Sequence, residues 1–100
     1  MRKTAAKKKT KDMCIISVTG RDRKGIIATI ANYLYRQNIN IEDVSQRVMH
    51  DYFVMMMLTD VAEARAGLEE VRDGLARIGR ELGLHIQLQH ENIFKTMHRI

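Results

Sequence analysis

Apolar positions along this chain fall into alternating and helical runs. Cys14, Ile16 and Val18 alternate with Ile15, Ser17 and Thr19. That pattern predicts a strand mostly buried on one face and ended by Thr19-Gly20. Ile26, Ile27, Ile30, Ala31 and Leu34 recur at spacings of three and four, a single apolar stripe. They predict a helix over about 23–37, with Asp22 as N-cap and Asn38 as a left-handed stop. From Ile39 to Met49 the apolar phase flips: Ile39 and Ile41 are odd, whereas Val44, Gln46 and Val48 are even. A strand that changes its inward phase needs one extra residue, so a bulge is expected near Glu42-Asp43. His50-Asp51 is the turn of a hairpin. Its second strand, Tyr52 to Thr59, is apolar on both faces and so belongs in the middle of a sheet.

Asp60-Val61-Ala62-Glu63 has the spacing of a capping box. Beyond it, Ala64, Leu68, Val71, Leu75, Ile78 and Leu82 predict one long amphipathic helix ending at Gly83. Gly67, Gly74 and Gly79 each cost about 1 kcal/mol of helix propensity relative to Ala, so this helix leans on packing. Leu84, Ile86 and Leu88 alternate with His85, Gln87 and Gln89 in a last strand. The order β-α-β-β-α-β, with right-handed crossovers, predicts an α+β domain of ferredoxin-like arrangement. Its four strands form an antiparallel sheet with both helices on one face. The domain is expected over 13–92. Phe94, Met97 and Ile100 suit a short C-terminal extension, 93–100, packing on it.

The net charge of +5 changes this picture only locally. Residues 1–12 hold six Lys or Arg against one Asp and no apolar periodicity, and read as a disordered basic tail. The remaining 88 residues carry equal numbers of each sign. The longest apolar run, Phe53 to Leu58, falls far short of the ~20 residues of a membrane span. No apolar segment of signal-peptide type follows the basic start. A lone Cys14 excludes an internal disulfide framework and a multi-cysteine zinc site. A cytoplasmic location is expected.

Candidate chemistry is sparse. His85 and His90 lie five apart on one strand and point to opposite faces, and no clustered His or Cys motif suggests a metal. Cys14 reads as a small buried hydrophobe. No acid/base pair shares a pocket, so neither an enzyme nor a cofactor is expected. An RNA-binding sheet needs aromatics on its central strands. The first strand has none, and Tyr52 and Phe53 face opposite ways, so no nucleic-acid partner is expected. Two features remain. Gly20 and Gly25 flank Arg21-Asp22-Arg23-Lys24 where a strand meets a helix, which could expose helix N-terminal amides to a carboxylate. By spacing alone, a tight strand-to-helix turn accounts for them better. Asn38, Asn40, Ser45 and Gln46 either line a polar site or serve turn and edge-strand solvation. Met55-Met56-Met57 must divide between the two faces, so the helix-free face carries apolar surface suited to an interface.

Three stretches together resemble an ACT domain: Val18 to Ile27, Gln37 to Gln46, and Tyr52 to Met55. Over about residues 13–100, including the ending Ile93 to Ile100, the chain resembles the small stand-alone ACT proteins of bacteria and archaea, an uncharacterised family. The double-ACT glycine-cleavage transcriptional repressor is a related comparison. The resemblance implies a regulatory homodimer that binds an amino acid or similar small ligand at the subunit interface. It implies loop positions Gly20, Asp22, Gly25 and Ile26, faced by Asn38, Asn40, Ser45 and Gln46. The alternative is a ligand-free interaction module that docks on a metabolic enzyme or transcriptional regulator. Two departures from the family pattern stand out: His50-Asp51 lacks the glycine expected in that turn, and the basic tail is not a family requirement.

Overall fold

A computed structural model describes residues 10–92. Most of the basic tail and the extension 93–100 lie outside the described residues. The elements run β1 (Met13–Arg21), α1 (Ile26–Arg36), β2 (Asn40–Met49), β3 (Tyr52–Asp60), α2 (Leu68–Leu82) and β4 (Leu84–His90). The sheet order is β2-β3-β1-β4 with every neighbouring pair antiparallel, which is the ferredoxin-like arrangement. Both helices cover one face. Among the described residues no helix is long and apolar enough to cross a membrane.

Pairing sorts side chains into rows, because residues opposite one another point to the same face. One row, Val44–Met57–Ile16–Leu88, faces the helices, as does Gln46–Met55–Val18–Ile86. Cys14, Ile16, Val18, Met55 and Met57 are essentially inaccessible and meet Ile26, Ile30 and Leu34 of α1 and Val71, Leu75 and Ile78 of α2. The expected bulge occurs where the register slips between Ile41 and Asp43, at Glu42. Asn38 takes the left-handed conformation (φ 62°) after α1, as its position predicted. In the hairpin turn it is His50 that is left-handed (φ 56°), a role glycine more often fills.

Two capping expectations are corrected. Asp22 is not the N-cap of α1. Gly25 is, in left-handed geometry (φ 88°), and no side chain caps that helix. Asp60 does not open α2 either, for α2 starts at Leu68 with Gly67 before it. Asp60 Oδ1 instead accepts from the amides of Asp12 and Ala62, both at 3.0 Å, closing a turn. The stretch 61–66 is kept from helix by α1. Arg65 donates its backbone N–H to Gln37 O (2.8 Å) and its Nε–H to Arg36 O (3.0 Å), and Asn38 Nδ2 donates to Glu63 O (3.0 Å). The two Arg65 bonds satisfy carbonyls that a helix C-terminus leaves without intrahelical partners, and the Asn38 bond ties the stretch back to the end of α1.

The glycines inside α2 are explained by contact. A Cβ on Gly74 would fall within the phenol end of Tyr33 from α1, and one on Gly79 would lie 2.7 Å from Leu84 O of β4. Each lets a neighbour approach more closely than alanine allows. In this way α1, and with it the first strand-helix turn, is seated against α2.

Candidate ligand site at the first strand-helix turn

Gly20 is the last β1 residue paired on both sides, between Phe53 and Leu84, and Arg21 still pairs with Tyr52. A Cβ there would lie 2.7 Å from Leu84 Cδ2 and 3.0 Å from Gly83 O, so this glycine admits the start of β4. The loop then passes Asp22, whose N–H donates to Asp51 O at 2.8 Å and ties it to the hairpin turn. Arg21 is exposed, 3.7 Å from the Asp51 carboxylate, with its guanidinium 5.6 Å from the Tyr52 ring centre. Gly25 follows, and its carbonyl accepts the first helical bond, from Thr29 N–H, at 2.9 Å.

The first turn of α1 contains no acidic residue. With no side-chain cap, the leading amides of Ile26, Ile27 and Ala28 stand at the positive end of the helix dipole. Exposed Arg23 and Lys24 sit in the same loop. An anion such as a carboxylate suits such a turn, because a helix start without a side-chain cap offers N–H donors at the positive end of the dipole, and Arg23 and Lys24 lie in the same loop. Ile26 itself is buried and anchors the helix start in the core.

Edge strand β2 supplies the rest of this end. Val48 lies in one row with Phe53, Gly20 and Leu84, and Gln46 lies one row further in. Both point to the helix side of the sheet, yet Val48 keeps 46% of its surface and Gln46 is exposed. Neither helix reaches over this half of β2. Ile27 on α1 is 42% exposed as well. The exposure of Val48 and Ile27 was not legible in the sequence, since an apolar period looks the same on a covered and on an uncovered strand or helix face.

The expected site residues therefore divide. Gly20, Asp22, Gly25, Ile26 and Gln46 share one end of the molecule. Ser45 pairs with Met56 and points to the helix-free face, away from Gln46. Asn38 and Asn40 lie beyond the far end of α1, about 16 Å of helix away at 1.5 Å per residue. Asn38 is bonded to Glu63 O, and Asn40 Nδ2 donates to Glu42 Oε2 at 2.7 Å. Within one chain these two asparagines do structural work.

That far end has its own charges. Lys11 Nζ lies 3.0 Å from Glu42 Oε1, which raises the lysine pKa and lowers that of the glutamate. The Asp12 and Ala62 amides hold the Asp60 carboxyl below its ordinary value. Asp12 also meets His90 Nε2. These contacts fasten the chain leading into β1. Burial pushes the Cys14 thiol up to about 11, so it carries no thiolate near neutrality.

Comparison with known proteins agrees with this architecture. A family model described as the ACT domain matches residues 12–89. The UPF0237 protein of Methanopyrus kandleri is 43% identical over 86 residues, covering 86% of this chain and 96% of that protein. The solved ACT domain protein from Streptococcus pneumoniae superposes with a TM-score of 0.74 at 29% identity, covering 85% of this chain and 96% of its own. A putative glycine cleavage system transcriptional repressor shares the fold at a TM-score of 0.72 and 20% identity, over 82% of this chain and 47% of that one.

Proposed function

This chain belongs to the ACT domain family and to its UPF0237 relatives, and from that premise we propose a cytoplasmic regulatory homodimer that binds an amino acid or similar small ligand where its subunits meet. The observation that carries the reading is the start of α1. It is capped by left-handed Gly25 rather than by a side chain, and it opens at the same end as uncovered Gln46 and Val48.

The ligand carboxylate rests on the leading amides of α1, with Arg21, Arg23 and Lys24 adding positive potential. One chain leaves this place open on the β2 side. Among the described residues β2, ten residues long, pairs on one side only, so its outer edge is open beside exposed Val44, Val48 and Met49. Such an edge is a template for a second strand. A second copy set there closes the site and brings its own polar residues to it. A ligand held by both subunits stabilises the dimer by its differential affinity for that state. That linkage would let a metabolite concentration act on whatever the dimer engages.

Thermal denaturation at fixed protein concentration, against each of the twenty amino acids, tests the reading. A ligand at 100 times its Kd adds about 2.7 kcal/mol. In a domain of this size that shifts Tm by roughly 10–20 °C. Gly25→Val should abolish the shift by covering the amides. If no amino acid moves Tm, and Gly25→Val changes no binding signal, the reading fails.

A further inference from the structure

The helix-free face of the sheet carries a second inference. Its rows are Asp43–Leu58–Ile15–Gln89, then Ser45–Met56–Ser17–Gln87, then Arg47–Val54–Thr19–His85. Its apolar part comes from β3, where Met56 is 44% exposed and Tyr52 54%, joined by Ile15 of β1; Ser17, Thr19 and the β2 and β4 residues of these rows are polar. Between the first two rows lies an open depression of about 160 Å³, lined by Ile15, Asp43, Ser45, Met56 and Leu58. A single sheet backed by helices on one side leaves such a face needing cover.

We propose that residues 93–100 of the same chain supply it, docking as an amphipathic helix with Phe94 and Met97 over Ile15, Leu58 and Met56. Connectivity delivers the segment to this place. β4 ends at His90, and Gln89 stands in the row that holds Ile15 and Leu58. The chain turns helical at Glu91–Asn92, where Asn92 N–H donates to His90 Nδ1 at 3.1 Å. On the opposite face α1 and α2 already cover β4 and its neighbour β1, and only part of the distant edge strand β2 is left open.

Length agrees. From β4 to β3 is two inter-strand spacings, about 10 Å, and eight helical residues span about 12 Å. The segment reaches the depression and ends near β2. Its pattern agrees too. Ile93, Phe94, Met97 and Ile100 fall on one helical stripe, while Lys95, His98 and Arg99 fall outside it. A helix running from β4 to β2 brings its basic end toward Asp43, the acidic residue at the β2 end of the row.

Methyl-labelled full-length protein tests this without any substitution. Nuclear Overhauser contacts are expected from the Phe94 ring to the methyls of Ile15, Leu58 and Met56. In a sample mixing labelled and unlabelled chains, they should persist within a chain and be absent between chains. Contacts only between chains, contacts to α1 or α2 instead, or no contact at all would overturn the proposal. As a second measurement, Phe94→Asp should move the Ile15, Leu58 and Met56 methyl resonances and leave those of Leu75 and Ile78 in place. Movement of the α2 methyls instead, or unchanged spectra, counts against it equally. Neither readout depends on ligand binding at the α1 turn.

Discussion

Replacing Gly74 by alanine sets two magnitudes against each other. In an isolated helix the change is favourable by about 1 kcal/mol, since alanine restricts the unfolded backbone and fits a helix. Here the new methyl would overlap Tyr33 Oη and Cζ and lie 2.9 Å from Cε1. The obstacle is the far end of a side chain, so Tyr33 can swing out or α1 can shift. Overpacking of this kind costs about 1–3 kcal/mol. The expected net is destabilisation of about 1 kcal/mol. With a urea slope of about 1–2 kcal/mol per molar, the midpoint should fall by roughly 0.5–1 M at fixed protein concentration. In a Tyr33→Ala background the clash is gone, and the same change should raise the midpoint. The cycle should give a coupling of about 2 kcal/mol between positions 33 and 74. A midpoint that rises on Gly74→Ala in the otherwise native chain would refute the contact argument. Gly79→Ala is the control. Its methyl meets Leu84 O, a backbone atom fixed by pairing to Gly20, so the loss should be larger, about 2–3 kcal/mol.

Other outcomes follow from single contacts. At Gly25 nothing nearer than Thr29 Oγ1, at 3.9 Å, opposes a side chain, so backbone strain alone should rank variants in urea denaturation: Gly above Asn, Asn above Ala, Ala above Val. Asp60, held below its ordinary pKa, contributes stability that is complete above the normal carboxylate range and lost as pH falls through the folded value. The difference in urea midpoint between the native chain and Asp60→Asn should thus be constant near neutrality and shrink below about pH 4. If the proposed dimer forms through β2, Val48→Lys, which places a charge on the uncovered edge, should lower the mass seen in light scattering to that of a monomer, with the circular dichroism spectrum unchanged. Cys14, buried and with its thiol raised to about 11, should resist a disulfide reagent at neutral pH until denaturant is added; rapid native labelling would contradict its placement.

Much of the architecture is legible in the sequence. Apolar spacing placed every strand and both helices, and the phase flip located the bulge at Glu42. Asn38 and Gly83 announced left-handed helix ends. These features depend on backbone preferences and side-chain period within a few residues, which local sequence encodes. Capping did not follow. Asp22 and Asp60 carry N-cap chemistry, yet an aspartate serves any turn with free amides, and Asp60 found those of Asp12 and Ala62. The apolar series from Ala64 continued into α2, but carbonyls at the end of α1 drew 61–66 into turns first.

For the candidate site the division is sharper. The sequence by itself determined that two glycines flank a cationic strand-helix turn, and that several polar residues line the following strand. Only the tertiary structure decided which of them can act together. Adjacent strand residues face opposite ways, so Ser45 and Gln46 part company. A helix of eleven residues separates Asn38 from Gly25. The sheet order makes β2 an edge, which leaves Val48 and Gln46 open beside the start of α1. Exposure of a strand is a property of its neighbours in space, and no period along the chain carries it.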